Sequence, residues 1–298
     1  MKKQILLLIM IITIASPAAF AGGSSTSCKT KYPIVMAHGM GATTKILGII
    51  DYWNRIPGAL RDEGATVYLT SVNCMDSTAN KAQAFKTQFL QIKAVTGAAK
   101  LNVIGHSHGT IYTRYAISNL GLYPYVASHT SIAGPHRGSV IADVILGIIP
   151  NPCQPLVGAA LDFVYAWLFG DTNPNSLQNG RDVTRSYMIN TFNPNTPNKS
   201  GVYYQSAAAK IKMMAIDARN WYFIGTWPIL LAVEGANDGL VSVNSAKWGT
   251  FRGTYEGAWY SAGVDHLNIV DQPFGITPGF DAPKFYQDLV ADLKNRGY

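Results

Sequence analysis

The segment that most constrains the fold is an apolar, branched run that leads directly into a serine between two glycines. Residues 101–109 read LNVIGHSHG, and the pentapeptide from Gly105 to Gly109 fits the pattern G-x-S-x-G. Glycines beside the serine remove the Cβ atoms that would clash where a strand reverses sharply into a helix. The pattern therefore predicts that Ser107 stands at such a turn as a nucleophile rather than as a loop residue.

Strand and helix patterns alternate around this turn. Branched apolar runs predict strands at 33–37, 66–70, 101–104, 126–132 and 229–233, and helical spacing predicts helices at 81–96, 110–120 and 283–296. Residues 190–201 are predicted to form a turn-rich loop. This alternation predicts the α/β class with a mostly parallel central sheet and helices on both faces. The G-x-S-x-G turn indicates an α/β-hydrolase, and an apolar segment further along the chain is interpreted as a helical lid.

The predicted lid lies at about residues 139–170. This stretch is mostly apolar, but Gly147, Pro150, Pro152 and Pro155 interrupt it, so it cannot be one membrane helix. We interpret it as two mobile helices whose apolar faces cover the Ser107 cleft in water and turn outward onto lipid, with Asp143 and Asp162 on their wetter sides. Two ordinary core helices would show the same periodicity.

The N-terminus has the pattern of a secretory signal. Lys2 and Lys3 precede an apolar run, and Ala19-Phe20-Ala21 fits a signal peptidase site. We therefore expect a signal peptide at 1–21, a single catalytic domain at 22–298 with no transmembrane segment, and an extracellular or periplasmic location.

Composition narrows the class of partner. Without Lys2 and Lys3 the formal charge falls from +7 to +5, and no Lys/Arg run suggests a nucleic-acid surface. Charged residues make up only 14% of the chain, against roughly 25% in an average soluble domain. This balance argues against nucleic-acid binding and favours an enzyme that works on apolar substrates at a lipid–water interface.

A nucleophilic serine needs a histidine to take its proton and a carboxylate to hold that histidine. Because the order in this fold is serine, acid, histidine, His266 is the predicted base, being the only histidine after residue 136. Asp238 follows the predicted strand at 229–233 and is the predicted acid. Glu234, Asp265 and Asp217 remain alternatives.

The oxyanion formed during acyl transfer needs backbone N–H donors beside the nucleophile. These are predicted to come from Met40, in the glycine-rich loop after the first strand, and from His108, which follows the serine. The other histidines near these loops precede the acid in sequence, so His38, His106 and His136 are interpreted as positioning or packing residues.

Three cysteines, Cys28, Cys74 and Cys153, allow at most one intramolecular disulfide. Cys28 lies just before one predicted strand and Cys74 just after another, whereas Cys153 lies in a proline-rich segment. This placement favours a Cys28–Cys74 bond, although spacing alone does not prove it. No C-x-x-C motif or His/Cys cluster suggests zinc.

Seven segments in order, YPIVMAHGM, DYW, GATVYLTSV, GAAKLNVIGHSHG, GPHRGS, ANDGLVS and DHLN, resemble the secreted triacylglycerol lipases of the Pseudomonas and Burkholderia type. They span most of residues 32–276. The resemblance implies hydrolysis of acylglycerol esters, a triad of Ser107, Asp238 and His266, and oxyanion donors at Met40 and His108. It also implies a lid at 139–169 and, as relatives commonly need one, a dedicated membrane-anchored foldase with type II secretion.

The chain departs from that family in three places. Val243-Asn244-Ser245 stands where the family has a cysteine, and Thr110 stands where many relatives have a second glycine. The family also binds a structural calcium through two aspartates and two backbone carbonyls, which match Asp217, Asn268, Gln272 and Ile276. Because one aspartate is Asn268 here, we expect at most a weakened calcium site, and no cofactor in the chemistry.

The leading hypothesis from the sequence is therefore a secreted lipase or carboxylesterase that works through an acyl-enzyme. A short-chain carboxylesterase or a polyester depolymerase would use the same triad. A non-catalytic lipid-binding protein of the same fold is the alternative from another class, and the intact set of serine, aspartate and histidine argues against it.

Overall fold

A six-stranded sheet organises the residues that the computed structural model describes, which are 26–40, 45–46, 50–148, 175–213 and 220–298. The strands lie in the order β4-β1-β5-β6-β7-β8, and all of them run parallel. Two short segments form a separate antiparallel pair, β2 and β3. The strands are β1 (Ile34–Ala37), β2 (Lys45–Ile46), β3 (Ile50–Asp51), β4 (Val67–Thr70), β5 (Leu101–His106), β6 (Val126–Ile132), β7 (Tyr203–Ala209) and β8 (Thr250–Tyr255).

Helices connect these strands. The α-helices are α1 (Ile56–Asp62), α2 (Thr78–Thr96), α3 (His108–Asn119), α4 (Val140–Ile145), α5 (Ser176–Arg181), α6 (Trp227–Glu234), α7 (Val243–Ala246) and α8 (Ala282–Asn295). Shorter turns lie at Tyr123–Tyr125, Arg185–Tyr187, Met188–Phe192, Asn193–Asn195, Trp221–Phe223 and Asn268–Val270. None of the helices in the described ranges is long and apolar enough to cross a membrane.

The sheet separates two apolar cores because alternate residues of its strands point to opposite faces. In β1, Ile34 and Met36 belong to one core and Val35 and Ala37 to the other. The first core packs under α1 and α8, and the second under α2 and α3. Helices therefore cover both faces, as the sequence predicts.

Most predicted elements are confirmed within a few residues. The strands at 33–37, 66–70, 101–104 and 126–132 correspond to β1, β4, β5 and β6. The predicted helices correspond to α2, α3 and α8. Gly97 ends α2 in the left-handed conformation, with φ of 64°, because glycine adopts this conformation without a steric penalty.

Two predictions of secondary structure were wrong. Residues 229–233 form part of α6, which has Pro228 in its first turn and packs Ile229 and Leu230 against α4. A short apolar run does not by itself distinguish a strand from a buried helix. The strand of this region is β7 instead, which the sequence did not reveal because its residues, YYQSAAA, are small or polar.

The predicted loop at 190–201 begins with helical turns instead. Met188 and Phe192 are buried against Ile111 of α3, and Pro194 lies in the first turn of Asn193–Asn195, where its missing N–H is not needed. Tertiary burial thus overrides the local turn preference of these residues.

The predicted disulfide between Cys28 and Cys74 is also wrong. Cys28 is a free, buried thiol whose Sγ donates to the carbonyl of Gln287 in α8 (3.5 Å). It precedes the amino end of β1, whereas Cys74 follows the carboxyl end of β4 and packs beside Met40 and Met75. Because β1 and β4 are parallel, Cys28 lies beyond the amino ends of these strands and Cys74 beyond their carboxyl ends. Cys153 lies outside the described residues.

We expect Cys28 to resist alkylation in the folded protein. Its side chain is buried, and burial raises the pKa of its thiol, so little of the reactive thiolate forms. Iodoacetamide treatment followed by peptide mapping without reduction should find Cys28 unmodified in the native protein and alkylated after unfolding. Recovery of Cys28 in a disulfide-linked peptide would contradict this assignment.

Candidate functional site

Ser107 stands at the turn between β5 and α3 with φ of 54° and ψ of −131°. A positive φ is uncommon for a residue with a side chain and marks a strained turn. A Cβ on Gly109 would lie 2.3 Å from the carbonyl oxygen of Ala37, and one on Gly105 would lie 2.8 Å from the amide nitrogen of Thr110. The two glycines therefore allow this turn to pack against β1 and the first turn of α3.

The predicted oxyanion donors lie beside this turn. Met40, Ser107 and His108 line one cleft. Gly39 brings the loop of Met40 close, because a Cβ at Gly39 would lie 2.8 Å from the Cβ of Ser107. His108 is the first residue of α3, where a backbone N–H has no partner within the helix.

The predicted base and acid form a buried pair. Nδ1 of His266 lies 2.8 Å from Oδ2 of Asp238, and the two side chains are 2% and 1% exposed. The second carboxylate oxygen of Asp238 accepts from the backbone N–H groups of Leu240 (3.0 Å) and Val241 (2.7 Å). Because the carboxylate accepts the Nδ1 proton, Nε2 of His266 is left as the proton acceptor.

The Asp238–His266 pair lies next to the turn that carries Ser107. The ring of His266 lies 4.6 Å, between centroids, from the ring of His106, which directly precedes Ser107. The loop that carries Asp238 is attached to the carboxyl end of β7, because Ile211 N donates to the carbonyl of Asn237 (2.9 Å). Asp238 therefore occupies the predicted place although the element before it is helix α6.

The competing carboxylates have other partners. Glu234 accepts from the N–H of Val140 (2.8 Å), in the first turn of α4. Asp265 accepts from the N–H groups of Leu267 and Asn268 and from the hydroxyl of Tyr222, and burial raises its pKa to about 7. Asp217 lies outside the described residues. Of the described carboxylates, Asp238 is the one that contacts the ring of His266.

The remaining histidines of this region are buried scaffold residues. Burial lowers the pKa of His38 to about 4 and the pKa values of His106 and His136 well below the usual range. His106 Nδ1 is hydrogen-bonded to Tyr52, and His136 Nε2 to the hydroxyl of Ser131 (2.6 Å). These neutral rings hold loops in place, as the sequence predicts.

Two residues of the site were missed from the sequence. Tyr52 Oη accepts from the N–H of Gly39 (2.9 Å) and bonds to His106, so it joins the Met40 loop to the nucleophile turn. Its signal was the segment DYW. Lys81 is 1% exposed and lies on the buried face of α2 with Phe85; a lysine in register with that apolar face was its signal.

The cleft beside Ser107 is apolar and open to solvent on one side. Its walls come from the Met40 loop, the start of α3, the segment before α4, α4 itself, the segment around α5 and the Asp238 loop. The lining residues are Met40, Ser107, His108, Pro135, Ser139, Ile141, Ala142, Ile145, Gly180, Val183, Leu240 and Val241. Such a cleft fits a hydrocarbon chain attached to a group at Ser107.

Helix α4 is the part of the predicted lid that lies within the described residues before 149. Its predicted wetter side is not wet, because Asp143 is buried and its Oδ2 lies 2.6 Å from Nε of Arg185. A buried carboxylate requires such a partner. Val140, Ile141 and Val144 of α4 pack against Ile229 and Leu230 of α6. Asp162 and residues 149–170 lie outside the described residues.

The described members of the predicted calcium site are held by hydrogen bonds. Asn268 Oδ1 accepts from Asp265 N (3.2 Å), and its Nδ2 donates to the carbonyl of Gln272 (2.8 Å). The donor on one side and the acceptor on the other fix the orientation of this amide. An N–H group therefore faces the carbonyl that a cation would need.

The surroundings agree with this arrangement. Asn220, Asn268 and Ile276 line a small cavity, and none of the described residues lining it is a carboxylate. The Oδ1 of Asn220 is buried and has no hydrogen-bond partner among the described residues. Calcium takes six to eight oxygen ligands and favours charged ones. Asp217 lies outside the described residues. The described donors therefore do not fit a calcium ion as they stand.

Comparison with known proteins supports the geometric interpretation. The sequence profile of the palmitoyl protein thioesterase family matches residues 33–187, just over half of the chain. The chain belongs to this family. The predicted resemblance to bacterial lipases is confirmed as well, because relatives named triacylglycerol lipase are 37% identical over 153 residues in Vibrio cholerae and 34% identical over 193 residues in Burkholderia plantarii.

The Vibrio cholerae alignment covers 49% of this chain and 48% of that lipase. The Burkholderia plantarii alignment covers 61% of this chain and 52% of that lipase. The chain thus spans about half the length of the lipases it matches. The crystal structure of the mature Bacillus licheniformis lipase BlEst2 superposes with a TM-score of 0.65 at 18% identity, covering 89% of this chain and 93% of that one. Together with the parallel sheet and the strained serine turn, this similarity confirms the α/β-hydrolase fold.

We expect Asp238→Asn to lower kcat by about 10⁴-fold without unfolding the protein, because an amide cannot hold His266 in the required tautomer. Asp265→Asn is the matched control, since an asparagine oxygen can still accept from Leu267 N and Asn268 N. Its kcat should stay within a few fold of the wild type. Turnover of a soluble p-nitrophenyl ester, with thermal melting followed by circular dichroism, separates the two. Equal losses would mean that the acid is misassigned.

We expect Asn268→Asp to make stability depend on calcium. A carboxylate at position 268 would face the carbonyl oxygen of Gln272 where an N–H now donates, and two facing oxygens need a cation between them. The melting temperature of the variant should fall in EDTA and rise with added calcium, by mass action, while that of the wild type stays constant. A calcium response of equal size in both proteins would contradict this account.

Proposed function

We propose that the protein is a carboxylic ester hydrolase, and most specifically a triacylglycerol lipase, that works through an acyl-enzyme on Ser107. The observation that carries the proposal is the buried Asp238–His266 pair beside a strained serine turn, whose Ser107 lines an apolar cleft. A conserved scaffold alone would not require a buried, hydrogen-bonded acid and base at this place. The pair therefore argues against a purely lipid-binding role.

In the proposed reaction, the hydroxyl of Ser107 attacks the ester carbonyl while Nε2 of His266 takes its proton. Asp238 stabilises the resulting imidazolium. The proton then passes to the leaving alcohol as the ester bond breaks, which leaves an acyl group on Ser107. Water attacks this ester in the same way, with His266 again taking and returning the proton, and the free acid leaves. No cofactor takes part.

The backbone N–H groups of Met40 and His108 are proposed to stabilise the tetrahedral oxyanion. Each such donor lowers the barrier by roughly 3 kcal/mol. The donors must be fixed before the reaction, because reorganisation during it would reduce their effect. Gly39, held by Tyr52, and the first turn of α3 supply that fixed backbone.

The apolar walls of the cleft favour a long acyl chain and a lipid surface as the partner. Ile141, Ala142 and Ile145 of α4 form one wall, so a movement of α4 would open the cleft. We extend the proposal to a lid at about residues 139–170 that begins with α4. Ile148, just beyond this helix, is 57% exposed, which suits contact with lipid.

A thioester hydrolase is the second candidate, and the family match over residues 33–187 favours it. The same acyl-enzyme would form, with a thiol instead of an alcohol as the leaving group. A short-chain carboxylesterase would differ only in the acyl length that the cleft accepts. Export through the signal peptide at 1–21, to an extracellular or periplasmic location, and help from a foldase complete the proposal.

We expect a fluorophosphonate probe to label Ser107 in the wild type and Ser107→Ala to abolish both labelling and hydrolysis. Ser139→Ala is the matched control, because Ser139 also lines the cleft and should leave labelling intact. Labelling is read by peptide mapping. Labelling that persists in Ser107→Ala would refute the assignment of the nucleophile.

The same wild-type preparation distinguishes the candidate substrates. A lipase should hydrolyse emulsified long-chain triglyceride faster than p-nitrophenyl butyrate, whereas a short-chain esterase should show the reverse order. A thioesterase should prefer palmitoyl-CoA to p-nitrophenyl palmitate. If the correctly folded wild type has none of these activities, the proposed function is wrong.

A further inference from the structure

Lys81 is a buried cation close to Ser107, and the proposed reaction does not use it. It lies in the first turns of α2, 1% exposed. Its Nζ lies 2.6 Å from the carbonyl oxygen of Cys74, 3.0 Å from Nδ1 of His108 and 3.2 Å from Oδ1 of Asn179. No carboxylate of the described residues lies within ion-pair distance of it. The charge is therefore held by neutral acceptors.

The number of acceptors matches the charged form of Lys81. An ammonium group carries three N–H donors and no acceptor, and three acceptors surround it here. A neutral amine has only two N–H groups, so on deprotonation either one buried acceptor loses its donor or the proton of the His108 ring moves to Nδ1. Leaving a buried polar group without a hydrogen-bond partner destabilises the folded state. The hydrogen-bond partners of Lys81 thus favour the protonated side chain, although its burial disfavours the charge.

Lys81 determines the state of His108. Because the ammonium only donates, Nδ1 of His108 must accept, and the ring proton lies on Nε2. That nitrogen lies 2.8 Å from the hydroxyl oxygen of Thr78, which accepts it. Burial and the charge of Lys81 lower the pKa of His108 well below its usual range. The ring is therefore neutral and fixed on both sides, and its backbone N–H is a proposed oxyanion donor.

The other two acceptors belong to the walls of the same cleft. Cys74 packs in a cluster with Met40 and Met75, behind the second oxyanion donor. Asn179 directly precedes Gly180, which lines the cleft. One ammonium group thus connects α3, the segment after β4 and α5 around the point where the oxyanion would form.

We propose that protonated Lys81 is a positioning residue that holds the oxyanion donors of His108 and Met40 in place, so that loss of its proton lowers the rate of acyl transfer. This inference rests on the proposed function. It concerns Lys81 and not the triad, because no atom of Lys81 needs to touch the substrate.

The charged groups around Lys81 place its titration near neutral pH. Burial lowers its pKa to about 7, against the opposing effects of Cys74 and Asp76 on the segment before α2 and of Asp182 after α5. His108 and His38 face it as neutral rings. Since the protonated form predominates below this pKa, kcat should fall as the pH rises through about 7.

Three variants test this on a soluble p-nitrophenyl ester between pH 6 and 10. Lys81→Arg keeps the charge and should extend activity to higher pH. Lys81→Met should lower kcat by about 10-fold at pH 6, a fraction of the 10²–10³-fold loss seen on removing a whole oxyanion donor, with KM within about twofold and no alkaline decline. Lys86→Met, on the same helix, is the control and should behave as the wild type. An identical alkaline decline in all four proteins would overturn the proposal.

A second measurement does not need catalysis. Folded Lys81 binds its proton more weakly than the unfolded chain does, so this residue makes stability rise with pH between about 7 and 10.5. The melting temperature of the wild type relative to Lys81→Met should therefore increase across that range. A constant difference would overturn the ionisation of Lys81. A wild type without esterase or thioesterase activity, in contrast, would overturn the proposed function and the catalytic part of this role together.

Discussion

The close contact between the Ser107 turn and strand β1 is the constraint on which the candidate site depends. Gly109 lies against the carbonyl of Ala37, at a distance that excludes any side chain. This packing brings the residue after Ser107 next to the loop that continues from β1, and hence next to Met40. Because the strands are parallel, their carboxyl ends meet at one edge, and the Asp238 loop joins that edge through β7.

Burial controls the chemistry around this edge more than direct ion pairing does. His38, His106, His108 and His136 are all neutral because desolvation disfavours their charged forms. They serve as fixed donors and acceptors between loops. His266 differs because a carboxylate lies against its Nδ1. Of the described histidines near Ser107, His266 is thus the one paired with a carboxylate, and the others connect loops as neutral rings.

Helix α4 forms one wall of the apolar cleft beside Ser107. Glu234, at the end of α6, accepts a hydrogen bond from the N–H of Val140 at the start of α4. Asp143 of α4 forms an ion pair with Arg185. In the sequence, Glu234 was an alternative catalytic acid, and Asp143 was predicted to lie on the solvent-exposed side of a lid helix. Their actual partners show that α4 is held by two polar contacts and one apolar face, and a helix held in this way can form a defined wall of the cleft.

The sequence alone predicted Ser107, His266 and Asp238 as residues of the candidate site, and most of the parallel strands, because these predictions depend on local rules. A glycine–serine–glycine turn after a branched strand has few conformations, and the order of the triad left one histidine. The sequence did not determine β7, α6 or the state of Cys28. YYQSAAA becomes a strand because β6 and β8 lie on either side of it, and 229–233 becomes a helix because α4 offers an apolar face. The partners of Lys81, Asp143 and Asn268 were likewise decided only by tertiary structure, since burial and hydrogen-bond partners come from residues distant in the chain.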